Sequence, residues 1–148
     1  MAYATYQIGH LRASIKYGAV FYHFRKWVKD GSWQKVQQQI IHQYKHLLNL
    51  SVGLFDGSHS PAKRGGEQVA YQGRKRCKTS NTLWLTDADG LVVGFALLVA
   101  GNHHDVSNIR VRLDSLVEQL ATSGISVDGL FVNADAGFDI EEFRHTCK

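Results

Sequence analysis

The 148-residue sequence predicts an α/β protein: a helical segment over residues 1–50, then a sheet-forming segment over 51–148 of order β-β-β-α-β. Three observations carry this reading. Apolar residues recur at helical spacing as far as Leu48 and again from Val106 to Leu120. Short apolar runs of strand length lie between and after those stretches. Glycine paired with Asp, Asn or Ser punctuates the joins. A chain of this length has room for one real core, and 44% hydrophobic content is that of a globular protein.

Residues 1–20 are weakly patterned and rich in tyrosine. From Phe21, the positions Phe21, Phe24, Trp27 and Val28 share one helical face. Asp30-Gly31 stops that helix, because glycine reaches the left-handed conformation at low cost. Ser32 is the expected cap of a second helix, whose apolar positions run from Trp33 through Val36, Ile40, Ile41 and Tyr44 to Leu48. The pair forms a helical hairpin with an aromatic seam (Phe21, Phe24, Trp27, Trp33, Tyr44), expected to be core.

Ser51–Asp56 reads as a short buried strand ending in a carboxylate. Residues 57–78 read as a turn-rich, basic excursion. Thr79–Thr86 and Leu91–Val99 read as two strands joined by the turn Asp87-Ala-Asp-Gly90. In the loop Gly101-Asn-His-His-Asp105, Asp105 is the expected cap of the helix that follows. Ser123-Gly124 ends that helix, and Gly129–Ala134 is a fourth strand leading into Asp135. A hairpin of strands, a crossover helix and a returning parallel strand is how a ribonuclease-H-like sheet begins. The crossover sets the first and fourth strands side by side. It thereby brings Asp56 and Asp135 together, and paired carboxylates are ligands for hard divalent ions.

Charge is unevenly spread. Residues 1–78 hold 13 Lys/Arg against three acids, and residues 79–148 hold four against ten. A basic half beside an acidic half suggests a polyanion-binding surface next to a metal or catalytic surface. No apolar stretch approaches the roughly 20 residues of a membrane span, and no secretory leader opens the chain. The expected location is therefore cytoplasmic, at the nucleoid. Cys77 and Cys147 lie far apart and read as free thiols.

Five motifs occur in order: Asp56-Gly-Ser-His-Ser; Lys63-Arg-Gly-Gly66 with Gly73-Arg-Lys-Arg; Thr86-Asp-Ala-Asp-Gly-Leu; Gly101-Asn-His-His-Asp; and Ala134-Asp-Ala-Gly-Phe-Asp139. Upstream stand Tyr22-His-Phe-Arg-Lys-Trp27 and Asp30-Gly-Ser-Trp33. Together these resemble the DDE transposases of bacterial insertion sequences, in the insertion-sequence-five group, from about Tyr17 to Phe143. The resemblance implies DNA transposition by a ribonuclease-H-like core that uses two Mg²⁺ or Mn²⁺ ions. Asp56 would be the first catalytic, metal-binding acid and Asp135 the second. Double-stranded transposon ends would be the partner. The family's third acid, a glutamate in a Tyr-Arg-Glu-Lys pattern, would follow a fifth strand. Glu141 and Glu142 stand too close to Asp135 to be that residue, so the expectation is a core without its third acid and inactive alone. It would be a decayed remnant, or one product of a split frame completed by a C-terminal transposase part.

The basic excursion supplies the DNA-binding candidates Lys63, Arg64, Arg74, Lys75, Arg76 and Lys78, since cations on phosphates release counterions without reading sequence. Asp139 is a rival to Asp135, but reads as the opening of the next helix. Asp87 and Asp89 read as turn residues, His103 and His104 as loop histidines without zinc spacing, and His59 as exposed. Two other readings stand beside transposition. One is a non-catalytic DNA-binding or regulatory module; the other is a self-sufficient nuclease with Glu142 or Asp139 as third ligand. An uncovered sheet edge would favour self-association.

Overall fold

The computed structural model describes residues 16–62 and 66–148. The chain divides into two compact units, one ending at Gln39 and one running from Ile40 to Lys148. Among the described residues, no helix is long and apolar enough to cross a membrane.

In the first unit, α1 (Tyr17–Lys29) stops at Asp30 and at Gly31, whose φ of +75° is the left-handed turn read from the sequence. Helix α2 (Ser32–Tyr44) begins at Ser32 itself. The capping acceptor is Asp30, whose carboxylate takes the Ser32 amide at 3.0 Å and its hydroxyl at 2.6 Å. These two bonds hold the Asp30 carboxyl below its ordinary pKa. Trp33 meets Phe24 and Trp27 at ring distances of 5.8 and 6.0 Å. The seam exists, yet it is not core: Phe24, Trp27 and Trp33 each remain more than two-fifths exposed. Helix α2 gives way at Lys45–Leu47 to a single 3₁₀ turn, short of the predicted end at Leu48.

The second unit is mixed α/β. Its strands are β1 (Gly53–Pro61), β2 (Ala70–Gln72), β3 (Cys77–Thr86), β4 (Val92–Phe95), β5 (Val99–Ala100) and β6 (Val132–Ala134); its helices after α2 are α3 (Ile109–Thr122) and α4 (Glu141–Thr146). All six strands join one sheet along the path β2-β3-β1-β6, with β4 and β5 also paired to β3. Strands β1 and β3 are antiparallel from Leu54↔Thr86 to Pro61↔Thr79. Strand β6 lies parallel to β1, as the crossover reading required, in the register Gly53↔Val132 to Phe55↔Ala134.

Three sequence-derived boundaries are corrected. The first strand does not end at Asp56 but runs on to Pro61, so the opening of the supposed excursion is sheet. Its polar residues Ser58, His59 and Ser60 hid a strand whose partner is the equally polar start of β3. The remainder holds a second short hairpin, β2 to β3, turning through Gly73–Arg76. The predicted strand Leu91–Val99 is broken. Continuing from Trp84↔Phe95, Asn81 would face Leu98, but it faces Val99, so one extra residue is absorbed between β4 and β5. A continuous apolar run gives no sign of such a bulge.

Helix α3 buries Ile109, Leu113, Leu116 and Leu120 against the sheet, and with them Arg112. Its end is a Schellman motif: Ile125 N–H donates to Leu120 O and Gly124 N–H to Ala121 O, with Gly124 at φ +73°. The core gathers these residues with Phe55, Leu83, Leu85, Val93, Phe138 and Phe143. Phe55 packs edge-on to Phe138 at 5.1 Å, which fixes the turn after β6 against β1. Cys77 and Cys147 are free thiols, and burial pushes the Cys147 thiol up.

Candidate metal and nucleic-acid site

Parallel pairing of β1 and β6 ends at Phe55↔Ala134. The next residue on each strand is an aspartate, Asp56 on one and Asp135 on the other. Both are exposed. Asp56 is therefore not at a strand tip, as its sequence context suggested; it marks the point where β1 outruns its parallel neighbour. Each carboxylate has one oxygen tied locally: Asp56 Oδ1 accepts from Gly57 N–H at 2.7 Å and Asp135 Oδ1 from Gly137 N–H at 2.8 Å. The second oxygen of each has no protein donor among the described residues.

Aspartate oxygens are the ligand type of Mg²⁺ and Mn²⁺, and Mg²⁺ is commonly held by one or two carboxylates plus substrate phosphate and water. Asp56 and Asp135 fit that requirement in kind. They do not complete an all-protein cage: among the described residues no cluster of three or more His, Cys, Asp or Glu is placed to hold an ion. Asp139 is engaged elsewhere, in an ion pair with Arg144. Glu141 and Glu142 share a separate cavity of about 670 Å³ with Arg110, Asp114 and His145.

Behind the acids, on the core side of β1, lies a polar network that the sequence reading missed. His59 is 8% exposed rather than on the surface, and Thr79, Asn81 and Arg112 are at most 1% exposed. Arginine can only donate, so the Arg112 Nη2 bond at 3.0 Å fixes Oδ1 of Asn81 as the acceptor. The Asn81 amide nitrogen then faces Asp105 Oδ1 at 2.5 Å and His59 Nε2 at 3.1 Å. Nε2 must accept, so His59 is the neutral tautomer with Nδ1–H directed to Thr79 Oγ1 at 3.2 Å. Burial accordingly pushes the His59 pKa below its ordinary 6.5, against an opposing pull from Asp105. Arg112 Nη1 also donates to Asp105 O at 2.9 Å, while its Nε is buried without a partner among the described residues.

Asp105 is thus not the cap of α3. Asn108 holds that place in the left-handed conformation, with no side-chain capping bond. The Asp105 carboxylate instead closes over β1 at Gly57, where any Cβ would come within 2.6 Å of it. A side chain at position 57 would therefore push this carboxylate off its bond to Asn81. The signal for this network was a basic residue, Arg112, on the apolar stripe of a helix. His103 and His104 are exposed, and Asp87 is a buried turn residue accepting the Asn49, Asp89 and Leu91 amides.

Of the basic candidates, Arg74, Lys75 and Arg76 form the exposed β2–β3 turn and Lys78 is exposed on β3. Lys75 Nζ donates to His59 O at 3.2 Å, which draws this turn onto the strand that carries Asp56. Arg76 adopts φ +51°, a conformation costly for a non-glycine residue, to close the turn. Lys63 and Arg64 lie outside the described residues. No protein-family profile, no curated protein and no solved structure matches the chain.

Proposed function

We propose that this chain is part of a DDE-type transposase with a ribonuclease-H-like core. Asp56 and Asp135 would be two of its three acids, and the basic β2–β3 turn a contact for double-stranded transposon ends. The observation that carries the reading is the parallel register that brings two exposed aspartates to adjacent positions on neighbouring strands. The tie from Lys75 to His59 O supports it, because it holds the basic turn against the strand that carries Asp56. Asp56 and Asp135 would hold Mg²⁺ or Mn²⁺ through their free oxygens. A bound ion of this type polarises a phosphodiester and lowers the pKa of an attacking water. With two carboxylates, the chain would bind the ion weakly and would not cut DNA by itself; the third acid would come from a further transposase segment.

Mn²⁺ at about millimolar concentration should broaden the amide resonances of Gly57 and Ala136 selectively, and Asp56→Ala should abolish the effect. Unchanged resonances in the intact chain would overturn the metal reading. A second reading is a DNA-binding or regulatory module without catalysis, resting on the exposed basic β2–β3 turn alone. It predicts salt-sensitive duplex binding that Asp56→Ala leaves unchanged.

A further inference from the structure

The face of the β1–β3 pair turned away from the core carries residues that a metal-and-phosphate site does not use. Side chains alternate along strands, so Phe55, Leu83 and Leu85 face the core and their neighbours face the other way. The register pairs Asp56↔Trp84, Ser58↔Thr82 and Ser60↔Ser80 therefore form a row on that second face, in which Ser60 is exposed, Ser58 and Ser80 are half-buried and Thr82 is buried beneath its neighbours. Lys78, exposed, continues it along β3. Trp84 is half-buried and stands outside the apolar cluster of the core. Its ring meets Phe95 at 5.6 Å and 52°.

Trp84 sits directly across from Asp56. Opposed residues on antiparallel strands have Cβ atoms about 4.5–5.5 Å apart, within reach of an aromatic ring. From Trp84 the row runs through hydroxyls to a cation about 20 Å away, at about 3.4 Å per residue. A stacking surface, then hydrogen-bond donors, then positive charge is the sequence of groups that an unpaired nucleotide chain engages. Duplex bases are stacked on one another and offer no free face to an indole. Charge favours the same occupant at the far end of the row, where Lys78 adjoins the exposed turn cations Arg74, Lys75 and Arg76.

We infer that this face binds a single-stranded DNA end. One base stacks on Trp84 beside Asp56, and the sugar-phosphate chain follows the hydroxyl row toward Lys78. The inference rests on the polynucleotide reading above and adds to it the strandedness of the substrate at the acids.

The chain has three tryptophans, so Trp27→Phe with Trp33→Phe leaves Trp84 as the sole reporter. Adding oligodeoxythymidine of about twelve nucleotides at about 50 mM salt should quench Trp84 fluorescence, and high salt should restore it. An abasic oligomer with the same number of phosphates should bind about tenfold more weakly, and Trp84→Leu should lose a similar factor for the thymidine oligomer. If Trp84→Leu fails to fold, the abasic comparison on the intact chain decides alone. Equal affinity for both oligomers with no quenching would overturn the stacking site and leave phosphate binding intact. Failure to bind either oligomer or duplex would overturn both readings. Quenching that needs no DNA and resists salt would assign the aromatic pair to a second copy of the chain, and would equally overturn the inference.

Discussion

Strand β3 buries two pairs of side chains on one face, and the two pairs hold the protein together differently. Leu83 and Leu85 lie in the apolar cluster beside Phe55, while Thr79 and Asn81, no less buried, lie in the polar network with His59 and Arg112. Apolar burial is non-directional, so its strength follows area and shape. The polar pair works by matched donors and acceptors, and a buried partner left unmatched costs more than the bond itself contributed. One end of the sheet is therefore tolerant of chemistry and demanding of volume. The other end, nearest the loop Gly101–Ser107 that carries Asp105, is demanding of chemistry.

The largest effect expected from breaking this contrast is at Arg112. Arg112→Met keeps the bulk but strips the Asn81 and Asp105 acceptors of their donors, which should cost about 3 kcal/mol. The matching change at the apolar end, Leu83→Met, should cost less than about 1.5 kcal/mol. Urea unfolding of the two variants measures the difference, and equal losses would erase the distinction. A smaller effect is pH dependence confined to the polar end. Because burial lowers the His59 pKa below 6.5, the unfolded chain holds more protons than the folded one just below that value. Stability should therefore fall as pH drops below about 6.5, until the folded-state pKa is passed. Asp105, Lys75, Arg74 and Arg112 all face this imidazole and set where that happens. The urea midpoint at pH 5 against pH 7.5, repeated with His59→Gln, should show the loss in the parent and a reduced loss in the variant. The smallest effect is at the exposed acid. Asp56→Asn should change stability by no more than about 0.5 kcal/mol while removing the Mn²⁺ response.

What the sequence disclosed follows the same divide. The helices, the Asp87–Gly90 turn and the neighbourhood of the first and last strands were readable because apolar periodicity and glycine stops are local signals. The crossover rule alone sets Asp56 next to Asp135. The second half of β1 was not readable, because Gly57-Ser-His-Ser60 has no apolar alternation; its strand identity comes from pairing with β3. Asp105 looked like a helix cap because its short-range context suits one, and only the approach of Asn81 from 24 residues away assigns it elsewhere. His59 looked exposed for the same reason. The aromatic seam failed in the opposite sense, since helical spacing identifies a shared face without saying that anything covers it.

The parallel pairing of β1 with β6 also has a consequence for how the molecule is made. The antiparallel hairpins around β3 join segments close in sequence, whereas Phe55 and Ala134 are 79 positions apart. Closing so long a loop is entropically slow and yields only three registered pairs. Asp56 and Asp135 are therefore expected to come together late in folding. A partly synthesised chain carries the basic turn before it carries the paired acids, so under the proposed function it would meet nucleic acid before it could hold an ion.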